Sequence, residues 1–136
     1  ARFADDSFDT VVMARALQAV KSPDVLLLDM LRVAREAIIT FPNFAHWQNR
    51  LHFGLKGLMP VSEALPYEWY NTPNIHLCTF KDFEQLCTQH DIHIVNRFAV
   101  SDSDKGHTPL MTALIRQAPN LLADVAIYRV TKKNPK

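Results

Sequence analysis

The stretch FDTVVMARALQAVKSPDVLLLDMLRVAREAIITF, residues 8–41, decides the fold class. Its opening, Phe8 to Met13, is short and rich in β-branched side chains, and the turn-prone Asp5, Asp6 and Ser7 precede it; this predicts a buried strand. Ala14 to Val20 reads as a short helical turn. Ser22 followed by Pro23 gives an N-cap and a proline at the first helical position, where a missing N–H costs nothing. From Pro23 to Arg35, Leu27, Leu31 and Ala34 recur at helical spacing, with Leu26, Met30 and Val33 on an adjoining line. So broad an apolar stripe suits a helix lying on a sheet. Ala37 to Phe41 is a second apolar run, stopped by Pro42. Strand, helix and strand within about 35 residues define a right-handed βαβ unit. The absence of polar alternation predicts strands covered on both faces.

The following segment, residues 43–78, reads differently. A helix over His46 to Leu55 is expected, broken near Gly57, and the remainder is irregular yet carries Phe44, Trp47, Phe53, Tyr67, Trp69 and Tyr70. Loops longer than about 15 residues are usually functional or disordered, and this one is too aromatic for disorder, so it reads as an aromatic insertion or lid. Thr79 then starts a helix, with Asp82 completing a capping-box pattern and Phe83, Leu86 and Cys87 on the inner face. Ile92 to Val100 is a strand with Ile92, Ile94 and Phe98 on alternating positions. Ser101 to Pro109 is a polar loop, Leu110 to Gln117 a short helix, Pro119-Asn120 a turn, and Asp124 to Val130 a last strand. Residues 131–136 should fray. With no full crossover helix before it, that last strand is expected to run antiparallel in an otherwise parallel sheet. The chain opens directly on a strand, which suggests part of something larger.

Composition narrows the function. The chain has 136 residues, a net charge of +1 and 48% apolar residues, enough for one domain. The only glycines are Gly54, Gly57 and Gly106, which excludes a glycine-rich phosphate loop within these residues. Near-neutral charge gives no warrant for nucleic acid, and no run approaches a membrane span. Cys78 and Cys87 do not make a disulfide framework, so a reduced, cytoplasmic setting is expected. The six histidines fall into no metal-ligand spacing, and no metal is expected. Cys78 precedes a helix N-terminus, a position that can lower a thiol pKa, whereas Cys87 reads as core.

Several longer strings carry a family resemblance: Phe3 to Met13, Ala16 to Val20, Met30 to Phe44, Met59 to Glu63, Trp69 to Thr79 and Pro119 to Arg129. Together they resemble the MetW family of methionine biosynthesis proteins, within the class I S-adenosylmethionine-dependent methyltransferases, and specifically only the C-terminal two-thirds of such a protein. The resemblance implies an α/β, three-layer Rossmann-like fold that is partial. Phe8 to Met13 would be its fourth strand, Glu36 to Phe41 the fifth, Ile92 to Val100 the sixth and Asp124 to Val130 the antiparallel seventh, the first strands being absent from this chain. It implies S-adenosylmethionine as cofactor of the complete protein, and a homoserine O-acyltransferase as partner. An accessory or regulatory role beside that enzyme is the favoured reading. A small-molecule methyltransferase and an interaction domain that has lost cofactor binding stay open, as does a homo-oligomer.

Ligands of open α/β sheets bind beyond the carboxyl ends of the strands. By the resemblance, Ala14 and Leu17 would face the cofactor. At the same edge, Asn43 could hydrogen-bond a substrate and His46 could act as a base near neutral pH. Trp47, Tyr67, Trp69, Tyr70 and His76 suit a substrate lid or a partner surface, or an aromatic minicore that ties the long segment down.

Overall fold

The computed structural model describes residues 3–101 and 108–133. The chain order is β1 (Phe8–Ala14), a single 3-10 turn (Leu17–Ala19), α1 (Pro23–Val33), β2 (Ala34–Pro42), α2 (Trp47–Lys56), α3 (Phe80–Gln89), β3 (Ile92–Val100), α4 (Pro109–Gln117), α5 (Pro119–Leu122) and β4 (Val125–Lys132). Among the described residues the sheet has four strands in the order β1-β2-β4-β3. β1 and β2 are parallel, and β4 runs antiparallel to both β2 and β3. The last strand is therefore antiparallel as expected, and it is inserted between two strands laid down before it.

Local chemistry explains most boundaries. Thr79 closes the expected capping box, its hydroxyl accepting from the Asp82 amide while Asp82 accepts from the Thr79 amide at 3.0 Å. Gly57 ends α2 with φ of 64°, the left-handed conformation glycine adopts without a Cβ penalty. The helix expected to reach Arg35 stops at Val33, and β2 begins at Ala34 with no connector. The Ala34 N–H still bonds the Met30 carbonyl while Ala34 itself pairs with Phe8, so sheet pairing claims the last two residues of the helical pattern. The Pro119-Asn120 turn is the start of α5. Thr131 and Lys132, expected to fray, continue β4, and Lys133 pairs with Asp91 at 2.8 Å; residues 134–136 lie outside the described residues, as does most of the Ser101 to Pro109 loop.

One face of the sheet carries the core. Leu27, Met30 and Leu31 of α1 and Phe80, Phe83 and Cys87 of α3 pack on Ala37, Ile39 and Phe41 of β2 and on Ala126, Tyr128 and Val130 of β4. Tyr128 is the hub: its ring lies 4.6 Å from Phe83, 5.9 Å from Phe80 and 6.0 Å from Phe41, stacked on the last. Its hydroxyl donates to Glu84 at 2.8 Å, and Glu84 also receives Arg97 at 2.8 Å. Burial foremost, then the Glu84 carboxylate, pushes the Tyr128 phenol well above its ordinary range.

The opposite face corrects the expectation of covered strands. Val12 is 63% exposed and Phe98 55% exposed. Between them Thr10 and Arg129 both donate to Glu36, at 2.8 and 2.7 Å, in a polar row across β1, β2 and β4. The apolar runs are real, but α1 and α3 cover the other face. β3 also departs from simple alternation. A register shift between Ile94 and Asn96 leaves Ile94 opposite Val130 on the core face and sends Phe98 opposite Ile127 on the open one.

Removing the Phe83 ring should hollow out the aromatic cluster. Phe83→Ala is expected to cost about 3–5 kcal/mol in urea unfolding. Phe98→Ala, on the open face, should stay within about 1 kcal/mol.

Candidate functional site

The carboxyl ends of β1, β2 and β3 lie at one edge, and the antiparallel β4 begins there. Asn43 is the fastening of that edge. Its backbone N–H donates to the Asp124 carbonyl at 2.7 Å, and its side-chain amide donates to Asn120 and Ala123 carbonyls at 3.0 and 2.8 Å. Its side-chain oxygen accepts from the Ala45 amide at 3.1 Å. With 1% exposure and its side chain so engaged, Asn43 has no face to offer a substrate, which corrects its expected role there.

The turn that Asn43 fixes delivers His46 to the N-terminus of α2, 7% exposed. Its Nε2 lies 3.4 Å from Asp124 Oδ1, and the Ser101 hydroxyl donates to Asp124 Oδ2 at 3.0 Å. Three chain segments thus meet in one cluster: the turn after β2, the end of β3 and the residue before β4. The cluster opens on a cavity of about 590 Å³, lined on its other sides by Trp47, the segment 61–64 and Met111, Leu114 and Leu122. Asp124 and Ser101 escape sequence reasoning because each sits at the margin of an apolar run, Asp124 alone before β4 and Ser101 as the first residue of a polar loop. Their only signal is that position, at the strand ends where this fold class keeps its ligands.

A second knot sits beside the first. Gln18 is 1% exposed; its amide donates to the Pro42 carbonyl at 3.1 Å and meets Cys78 Sγ at 3.4 Å. Its backbone carbonyl accepts from both Ile75 and His76, at 2.9 Å each. Among the described residues, Gln18 Oε1 is buried without a partner. This knot pins the far end of the aromatic segment against the strand edge. Ala14 is exposed there, whereas Leu17 is 4% exposed and belongs to the core. Cys78 shows no lowered pKa: burial foremost pushes its thiol up to about 11 against the Gln18 hydrogen bond, and burial carries Cys87 to about 12.

The aromatic segment is held at its ends and exposed between them. Trp69 is 73% and Tyr70 70% exposed, with ring centroids 5.7 Å apart, edge to face. Tyr67, Trp47 and His76 are exposed as well, and the His76 ring contacts the Lys21 carbonyl at 3.2 Å. The segment does bury Leu65, which lines a cleft of about 170 Å³ with Phe44, Trp69 and Ile75.

This sheet order and edge define a partial class I, Rossmann-like methyltransferase fold, and solved structures bear that out. A S-adenosylmethionine-dependent methyltransferase from Thermotoga maritima aligns over 98% of this chain and 59% of its own, with a TM-score of 0.58 at 13% identity. One from Mesorhizobium loti aligns over 97% of this chain and 65% of its own, with a TM-score of 0.58 at 12% identity. The family described as methionine biosynthesis protein MetW matches residues 1–130, and the chain belongs to that family. A curated relative, the bifunctional methionine biosynthesis protein MetXA/MetW of Rhodopirellula baltica, is 37% identical over 133 residues, or 97% of this chain. The chain spans a fifth of that relative's length. The match over residues 1–130 corrects the expectation of a resemblance confined to a C-terminal two-thirds, since it takes in nearly the whole chain. Among the described residues no helix is long and apolar enough to cross a membrane, and no three His, Cys, Asp or Glu side chains gather to hold a metal ion.

Both thiols should resist alkylation in the native state. Iodoacetamide at pH 8 is expected to modify Cys78 and Cys87 far faster in urea than in buffer, read by mass. Because both folded pKa values are raised above the ordinary 9.0, their stabilising contribution is complete below that value. It is lost as pH rises from about 9 to 11, on the order of 1 kcal/mol per thiol per pH unit, so the urea midpoint should fall across that window.

Proposed function

We propose that this MetW-family chain acts as an accessory or regulatory partner of a homoserine O-acyltransferase, docking through its aromatic segment. The observation that carries the reading is the Rhodopirellula baltica relative, whose name joins MetXA and MetW in one bifunctional protein. Two activities joined in one chain in one species are often separate, associating chains in another. The exposed Trp69–Tyr70 pair supports the choice of surface, because tryptophan and tyrosine are the side chains that most often dominate binding energy at interfaces. Tyr67, Trp47 and His76 flank it in this reading. A cytoplasmic setting belongs to the same proposal, supported by two free cysteines.

The cofactor side of the proposal is narrower. S-adenosylmethionine would be held by the complete protein, with Ala14 and Leu17 at the corner after β1. The residues of this chain fit only part of that ligand. Among the described residues Gln18 Oε1 is an acceptor without a partner at this corner, but Leu17 points into the core and the chain's three glycines form no glycine-rich run. The contacts to ribose and adenine are therefore not assigned to these residues. A small-molecule methyltransferase is retained as the second reading on one observation, the His46–Asp124 pair at the strand edge.

The test is co-purification of the tagged protein with the homoserine O-acyltransferase of the same organism. A complex is expected, and Trp69→Ala with Tyr70→Ala should weaken it at least about tenfold. Absence of any complex contradicts the partnership. Unchanged affinity in a folded double variant removes the aromatic segment from it.

A further inference from the structure

α2 carries its apolar stripe on the outside. A helix that packs on its own fold turns its leucines inward and its polar residues out. In α2 the one buried residue is Asn49, whose side-chain amide donates to the Phe44 carbonyl at 3.3 Å. Trp47, Leu51 and Leu55, spaced four apart on one face, are exposed, Leu55 by 77%. Leu58, just past the Gly57 cap, prolongs the stripe and is exposed as well.

Two features say what covers it. Gly54 stands mid-helix on the same side, where glycine costs helix stability relative to alanine. Among the described residues no other element comes within 4 Å of the place its Cβ would take, so the chain's own packing gives that glycine no role. A helix backbone laid along Leu51 and Leu55 does, because it must approach closely there. Charge is the second feature. Between Glu36 and Glu63 the chain has no Asp or Glu, while Arg50 borders the stripe on one side and Lys56 stands beyond the other. Arg50 Nε donates to the Ala45 carbonyl at 2.6 Å, and among the described residues neither cation is ion-paired. A second copy of α2 would bring these cations against their own kind. Membrane surfaces are held by clusters of roughly four to eight basic side chains, and α2 has only these two Lys and Arg residues.

We propose that the outer face of α2 docks an acidic amphipathic helix of a partner protein. The apolar stripe of that helix packs on Leu51, Leu55 and Leu58 over Gly54, and carboxylates flanking its stripe meet Arg50 and Lys56. The proposal names the chemistry of the partner's element, and it stands whether or not the acyltransferase is the protein that carries it.

The probe is a fluorescent helical peptide of about four turns, with leucines along one face and glutamates flanking them. One control carries lysines in place of the glutamates, and the other scrambles the glutamate sequence so that no stripe forms. In fluorescence anisotropy with the unmodified protein, the glutamate peptide should bind saturably and at least about tenfold more tightly than either control. Leu51→Glu with Leu55→Glu, at exposed positions, should keep the urea midpoint of folding and weaken binding at least about tenfold. Arg50→Glu with Lys56→Glu should reverse the preference, so that the lysine peptide binds the tighter, a gain that a misfolded chain does not give. No saturable binding of the glutamate peptide, equal binding of the scrambled one, or a preference unmoved by the charge reversal would each overturn the proposal. Dimerisation of the protein that Leu51→Glu abolishes would assign the stripe to a second copy instead. Tighter binding to vesicles of phosphatidylcholine and phosphatidylglycerol than to the peptide would assign it to a membrane, and either result overturns the proposal too.

Discussion

The side-chain amide of Asn43 is the constraint on which the working edge depends. A parallel pair, β1 and β2, and an antiparallel strand, β4, must be joined where their ends meet, and no ladder reaches past Pro42 and Val125. Asn43 closes that edge with two donors and one acceptor in a buried setting, where each bond left unmade costs about 1–3 kcal/mol. The turn it fixes sets where α2 begins, and so where His46 stands. The Asn43 backbone N–H, in the same turn, holds the Asp124 carbonyl, which sets where the carboxylate points. Fold and site are thus joined through one residue.

Packing supplies the rest of the rigidity. Tyr128, at the centre of β4, collects Phe41, Phe80 and Phe83 around its ring and anchors its hydroxyl on Glu84. An inserted central strand with so large a buried residue locks β2 and β3 to either side of it. By contrast the open face, with Val12 and Phe98 exposed and Glu36 bridging Thr10 and Arg129, contributes cross-strand polar contacts and little burial.

Much of the fold was legible because it is written in local chemistry. Pro23 after Ser22, the Thr79–Asp82 capping box and the β-branched run at Val11 and Val12 each act over a few residues, and each element formed where those signals stand. What was not legible depends on partners distant in sequence. The coverage of a strand face follows from where helices land, and the phase of Phe98 from a bulge that periodicity does not announce. The candidate site divides the same way. His46 could be singled out as a titratable side chain at a strand edge, but its partners lie 55 and 78 positions further along, and only the meeting of β3 and β4 brings Ser101 and Asp124 to it. Asn43 shows the converse, a residue whose polarity suggested a ligand and whose bonds are all internal.

The most direct measurement is amide hydrogen exchange on the unmodified protein and on Asn43→Ala. Removing the side chain should lower protection at the Asp124 and Ala45 amides together, with a stability loss of about 2–4 kcal/mol. Protection elsewhere in β1 should fall only by the global loss. An Asn43→Ala protein that keeps full protection at Asp124 and Ala45, with unchanged stability, would contradict the account, because the strand edge and the His46 cluster would then be held by something other than this amide.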